Sequence, residues 1–359
     1  PAFGKQYWPT IEWKTSSPQS QDFDPGSISE MFKFIEKKQF PIDGVVIIKN
    51  GYLIGEFYSN NTNEETLSNI YSVTKSFTSA LVGIAIDKGH IRSEEQTLGS
   101  IFSKNNVIKN NPKLMGIRVH NLLTMTSGLK TRDNHLSNYS GVFALRNSKN
   151  WVDYIFSLGT EKKRGEYYNY SNGGSHILAA ILAKTTKVPV AKYAERHLFS
   201  PIGIKKYKWE RDPQGINHGY SNLELSARDM AKLGLLYLNK GEWDEKQIIS
   251  SSWIEKSLET HSYPNKGRFN PFKLYPFNGY GYQWWSSETA WKADLSYRKV
   301  WGMGNNLVEQ SEYFLALGYE GQYVFILPGH NMVITFKSQF KKTRDILIPK
   351  ALVEEFLLN

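Results

Sequence analysis

The chain has 359 residues, 40% of them hydrophobic, and a net charge of +10, enough apolar mass for one large domain or two joined lobes and too much for a disordered or fibrous polypeptide. The absence of cysteine removes disulfides, thiolate nucleophiles and Cys-ligated zinc, and the longest apolar runs, such as Leu178 to Leu182, fall far short of the roughly 20 residues of a membrane span. The positive charge lies in short groups, Lys37-Lys38, Lys162-Lys163 and Lys341-Lys342, as on a solvated surface rather than along a nucleic-acid footprint.

Residues 1–30 are polar and turn-rich, with Pro9, Pro18, Pro25 and Gly26, and lead into a predicted helix from Ile28 to Lys38. A hairpin follows, Val45 to Lys49 and Tyr52 to Tyr58, joined by Asn50-Gly51, a dipeptide that accepts the positive φ angles of a type I′ turn. From Ser72 to Lys88 the apolar residues Phe77, Ala80, Leu81, Ile84 and Ala85 recur at helical spacing, nearly encircle the axis and end at Gly89, so this helix is expected to be buried on most sides.

The middle of the chain reads as helices and loops, with helices over Asn121 to Met125, Asn150 to Leu158, Gly173 to Thr186, Val190 to Leu198, Ser226 to Asn239 and Ser251 to Leu258. Strands are expected again only near the end, at Tyr313 to Leu317, Gln322 to Leu327 and Met332 to Lys337, before an amphipathic helix from Thr343 to Leu358. This order predicts an α+β fold in one domain spanning 1–359. Both ends of the chain build an antiparallel sheet with flanking helices, an α/β lobe of about residues 28–90 and 310–359, and a helical lobe of about 91–309 is inserted between them. The cleft between the lobes is the expected place for a site.

Ser72-Val73-Thr74-Lys75 is a Ser-x-x-Lys tetrapeptide, and on a helix that spacing brings hydroxyl and amine to one face within hydrogen-bonding reach. A desolvated lysine has a lowered pKa, and its neutral amine takes up the serine proton. The same tetrapeptide recurs at Ser127 to Lys130, Ser296 to Lys299 and Ser338 to Lys341, in turns or charged stretches that look exposed. Only Ser72 opens a long apolar helix, where free N–H groups and the dipole favour an oxyanion. The competing role for Ser72 is that of a helix cap, with Lys75 facing water. Tyr170-Ser171-Asn172, just before Gly173-Gly174, is a second candidate, although Tyr-x-Asn also recurs at Tyr58, Tyr167, Tyr220 and Tyr263.

Taken in order, Tyr71 to Ser76, His120 to Leu129, Tyr170 to Gly174 and the Leu225-Ser226-Ala227-Arg228-Asp229-Met230 segment resemble the class C beta-lactamase-related serine hydrolases. The resemblance runs from about residue 40 to the C-terminus. It implies that Ser72 forms an acyl-enzyme, that Lys75 and Tyr170 share the proton relay, and that Asn172 holds Lys75 or the substrate amide. The family's third box, a Lys-Thr-Gly or His-x-Gly on the edge strand facing the nucleophile, matches Tyr319-Glu320-Gly321-Gln322 here, where the cation is absent. By resemblance the Gln322 N–H completes the oxyanion hole with that of Ser72, and Gly321 permits close approach. This third box is similar to the branch that holds 6-aminohexanoate-oligomer hydrolases and carboxylesterases. The expected function is therefore a serine hydrolase of small esters or amides. A beta-lactamase or D-Ala-D-Ala peptidase, and an inactive penicillin-binding-protein-like sensor, are the alternatives.

Glu320 is expected to point to solvent, with recognition of a cationic substrate group as the sharper alternative. His120 and His176 read as structural, and of Trp284, Trp285, Trp291 and Trp301 most are expected in the core and one or two against substrate. Neither a metal nor an organic cofactor is implied, since side chains, backbone donors and water suffice. The expected partner is a small ester, amide or peptide substrate, with no nucleic acid and no membrane span. Freedom from cysteine and a first residue of Pro1 rather than Met fit an exported protein, secreted or held in the cell envelope, with a cytoplasmic location as the alternative.

Overall fold

The computed structural model of the chain describes residues 7–59, 61–131, 140–264, 279–287, 295–304 and 312–358. A seven-stranded antiparallel sheet runs in the order Tyr52–Tyr58, Ile42–Lys49, Met332–Ser338, Gln322–Leu327, Phe314–Gly318, Trp285–Ser286, Gly279–Tyr280. Segments from the two ends of the chain thus meet inside the sheet, where Ile42–Lys49 pairs with Met332–Ser338. At the hairpin, Asn50 and Gly51 take φ of 52° and 81°, as the two-residue turn requires.

The central strands are buried on both faces, and successive residues feed different cores. Val45 and Ile47 pack with Ile28, Met31 and Ile35 of the helix Pro25–Lys38 and with Leu352 and Leu357 near the C-terminus. Val46 and Ile48 join the larger core with Met230, Leu233 and Leu236 of the helix Ala227–Leu238. That helix lies close to the sheet because Gly234 faces Val333, where a Cβ would meet the valine Cγ1 at 2.6 Å.

The helix Thr74–Asp87 is buried at every position from Thr74 to Ala85 and packs against the helix Asn172–Thr186. Ser251–Leu258 is helical as expected, and Gln322–Leu327 is a strand over the expected residues. The stretch read as helices and loops differs in one respect. It also carries the strands Lys208–Trp209 and Leu223–Leu225, which form a small sheet with Ser68–Asn69, the pair Glu242–Trp243 and Lys246–Gln247, and the strands Gly279–Tyr280 and Trp285–Ser286, which extend the main sheet. Two or three residues are too few for a period-two pattern to register.

Candidate active site

The approach to Ser72 is set by a strained residue. Tyr71 has φ of 46°, and its N–H donates to Asn69 Oδ1 at 2.7 Å, which turns the chain out of the strand Ser68–Asn69. A 3-10 turn over Tyr71–Val73 then enters the helix Thr74–Asp87, and neither uses the Ser72 hydroxyl as a cap. That hydroxyl instead accepts from Lys75 Nζ at 2.9 Å.

Lys75 is only 1% exposed. Its Nζ also donates to Asn172 Oδ1 at 2.7 Å and to the Tyr220 carbonyl at 3.1 Å. The centroids of the Tyr170 and Tyr220 rings lie 4.7 and 5.6 Å from the nitrogen. The water-facing alternative for Lys75 therefore does not hold.

Tyr170 and Asn172 reach Lys75 because Ser171, between them, is turned the other way. Ser171 caps the helix Asn172–Thr186, its Oγ accepting from Gly174 N–H at 2.8 Å and from Thr131 Oγ1 at 2.8 Å. Tyr170 is stacked on Trp285, with ring centroids 6.2 Å apart at 18°. Trp284 is fully buried against Tyr237, and Trp301 donates to Asp345 Oδ1. Trp291 lies outside the described residues.

The third wall is the turn Tyr319–Gly321, between Phe314–Gly318 and Gln322–Leu327. These strands lie inside the sheet and not at its edge, a correction to the expected placement; the edge is taken by the short strands that the sequence did not reveal. Gly318 packs on the Ser72 approach so closely that a Cβ would sit 2.5 Å from the Ile70 carbonyl oxygen. Gly321 has φ of 89°, and its carbonyl accepts from Ser338 Oγ at 2.8 Å. Gln322 Nε2 donates to the Ser338 carbonyl at 2.6 Å.

Glu320 does not point to solvent. Its side chain is 13% exposed, accepts from the Tyr71 hydroxyl at 3.1 Å and pairs with Lys341 at 2.6 Å. Burial, reinforced by this carboxylate, pushes the Tyr71 phenol up to about 12. The Tyr71 and Tyr319 rings meet edge to face at 5.5 Å. The nucleophile turn and the third box are thereby joined by a hydrogen bond and a ring contact.

Several residues at the site were given no role there by the sequence, Tyr220 being noted only as a recurrence of Tyr-x-Asn. Tyr220 and Asn222 are the most telling: Tyr220-Ser221-Asn222 repeats the Tyr-Ser-Asn of residues 170–172, and its first residue supplies a carbonyl and a ring to Lys75. Gln283, with φ of 65°, accepts from Ser76 Oγ at its carbonyl and from Ser175 Oγ at its side chain, and donates to the Leu123 carbonyl. It crosslinks the helices that carry Lys75 and Asn172. Lys337, buried at the end of its strand, donates to the carbonyls of Ser68 and Leu225 at 2.8 and 2.6 Å. His120 contacts the Tyr282 hydroxyl at 3.1 Å, and buried His176 pairs with Asp212 at 3.0 Å. Of the other Ser-x-x-Lys serines, Ser127 and Ser338 are buried rather than exposed, and the Ser296 side chain lies outside the described residues.

Among the described residues no group of three or more His, Asp or Glu is arranged to hold a metal ion, and no helix is long and apolar enough to cross a membrane. A family model described as Beta-lactamase matches residues 31–352. The chain belongs to the beta-lactamase family. A 6-aminohexanoate-dimer hydrolase from Paenarthrobacter ureafaciens is 19% identical over 255 residues, 68% of this chain and 64% of that protein. Among solved structures, a Bacillus anthracis protein assigned as a 6-aminohexanoate-dimer hydrolase aligns with a TM-score of 0.71 at 21% identity, covering 96% of this chain and 89% of the other. A class C beta-lactamase from Rhodobacter sphaeroides aligns with a TM-score of 0.62 at 16% identity, covering 91% and 98%. The family is thus one of serine hydrolases sharing this sheet-and-helix fold.

Proposed function

We propose that the protein is a serine hydrolase that cleaves a small ester or amide through an acyl-enzyme on Ser72. The observation that carries the reading is the buried Lys75 amine, 2.9 Å from Ser72 Oγ and held by Asn172 and Tyr220. A free surface lysine would have neither that distance nor those partners. With Lys75 in its neutral form the Ser72 hydroxyl donates to Nζ across the same contact, and the amine takes the proton as Ser72 Oγ attacks the carbonyl carbon. Tyr170, its ring against the same amine, gives its hydroxyl proton to the departing alcohol or amine as the bond to it breaks and takes the proton held by Lys75 in exchange. Water then attacks the acyl-serine, the relay accepts its proton, and the acid leaves with the Ser72 hydroxyl restored.

Asn172 keeps Lys75 aimed at Ser72. The backbone N–H groups of Ser72 and Gln322 receive the oxyanion, at the start of a helix whose dipole favours negative charge. Gly321 keeps that wall free of a side chain. The third box supports an ester or amide over a beta-lactam, because Lys341, the cation beside it, is already paired with Glu320.

The test is labelling by a fluorophosphonate probe, read by intact-protein mass, together with turnover of a p-nitrophenyl ester, an aminohexanoate dimer and a chromogenic cephalosporin. Ser72→Ala is expected to lose the label and all turnover, and Lys75→Met to lower kcat/KM by about 10²- to 10⁴-fold. Ester or amide turnover without cephalosporin turnover places the enzyme in the esterase and amidase branch. Equal labelling of wild type and Ser72→Ala, or none of either, overturns the assignment and leaves a binding protein.

A further inference from the structure

We propose that Arg146 is an anion-recognition residue at the mouth of the site, selecting esters or amides that carry a carboxylate a few bonds from the scissile carbonyl; this rests on the hydrolase reading above. Arg146 is the last residue of the helix Ser140–Arg146 and is exposed. Its Nε donates to the Tyr220 hydroxyl at 3.4 Å and its Nη2 to Asn222 Oδ1 at 3.2 Å.

Both acceptors belong to the frame of the site. The Tyr220 carbonyl receives Lys75. Asn222 Oδ1 also receives Asn69 Nδ2 at 3.2 Å and Ser221 Oγ at 2.8 Å, while Asn69 Oδ1 receives the N–H of Tyr71, the neighbour of Ser72. Arg146 is therefore anchored to the lysine side and to the serine side at once. Its charge is felt at the Tyr71 hydroxyl, where it opposes the upward push of burial and Glu320.

These anchors orient the guanidinium without neutralising it, since both are uncharged. No ion pair joins Arg146 to a carboxylate of the described residues, and Glu210, which belongs to this network, accepts from the Asn222 amide nitrogen. Nη1 makes no hydrogen bond to any described residue. A planar fork held from one side and open on the other suits bidentate capture of a carboxylate. On the third-box wall Glu320 is already matched by Lys341 and Tyr71, so Arg146 is the charge left unmatched in this network of described residues. That charge distribution repels an amine and attracts an acid, which also argues against Glu320 as an amine site.

The experiment compares kcat/KM for the mono-p-nitrophenyl ester of adipic acid with that for p-nitrophenyl hexanoate, in wild type, Arg146→Gln and Arg146→Lys. The ratio of anionic to neutral ester is expected to fall by about 10- to 100-fold in Arg146→Gln, chiefly through KM, and less in Arg146→Lys, which keeps the charge but not the fork. In wild type the same ratio should drop as salt is raised. An unchanged ratio in Arg146→Gln overturns the proposal. Binding of the adipic acid mono-4-nitroanilide, measured by calorimetry on Ser72→Ala with and without Arg146→Gln, separates the two readings. Loss of affinity without any wild-type turnover would sink the hydrolase and keep the anion site, whereas equal affinity with normal turnover would do the reverse.

Discussion

Tyr71 and Gly321 both hold the left-handed backbone region, at φ of 46° and 89°, on opposite walls of the candidate site. Gly321 takes that angle at no steric cost, and it also has no room for a side chain: a Cβ would lie 2.8 Å from the Phe340 ring. Gly321→Ala is therefore expected to cost about 1–3 kcal/mol of stability, measured by urea unfolding, and to lower kcat for an ester more than it changes KM. Wild-type stability and kcat in this variant would show that the turn does not position the oxyanion donor. The Ser-x-x-Lys pair and Gly321 were legible in the sequence because the first needs only helical spacing and the second is a glycine in a recognisable box. The strain at Tyr71 was not legible. It is held by Asn69 and Glu320, one local and one 249 residues away.

At the level of elements, the end of the strand Met332–Ser338 ties the two walls together. Lys337 reaches across to Ser68 and Leu225, next to the Ser72 approach, while Ser338 holds Gly321 and Gln322. Burial pushes the Lys337 ammonium down to about 7 from its ordinary 10.5, against partial support from Asp43 and Glu224. Between these two pH values the unfolded chain binds more protons than the folded one, so this residue makes stability rise with pH; below about 7 the full cost of burying the charge is present. Lys337→Met is expected to flatten the rise in unfolding free energy between pH 7 and 9. The same slope in both proteins would mean that Lys337 does not titrate there. A lysine in a strand gives no sequence sign of such a role, because its partners are backbone carbonyls supplied by other segments.

Across the whole molecule, the helices behind Lys75 enclose a polar centre rather than a purely apolar one. The His176–Asp212 pair sits beside His218, whose ring is stacked on Tyr220 and lies 4.5 Å from that of Trp151. Burial, the larger cause, and the neighbouring His176 push His218 down to about 4 from 6.5. In that window the unfolded chain takes up the proton first, so stability falls as pH drops from 6.5 towards 4. His218→Phe keeps the ring volume and removes the titration, and its unfolding free energy should lose less over the same acid range. A steeper acid loss in the variant would show that the histidine stabilises the fold when charged.

The sequence by itself determined the helices whose apolar residues recur at three and four, the central strands, and the ordered motifs that place the chain in its family. All of these are local patterns of side-chain size and polarity, and a single segment carries each one. Only the tertiary structure decided that Gln322–Leu327 lies inside the sheet and that two-residue strands close its far side. It also decided that Tyr220 supplies Lys75 with a carbonyl and a ring, that Glu320 is spent on Tyr71 and Lys341, and that Arg146 is held by Tyr220 and Asn222. Each of those outcomes depends on which distant group a polar atom meets once the chain has closed on itself, and no spacing along the sequence encodes that pairing.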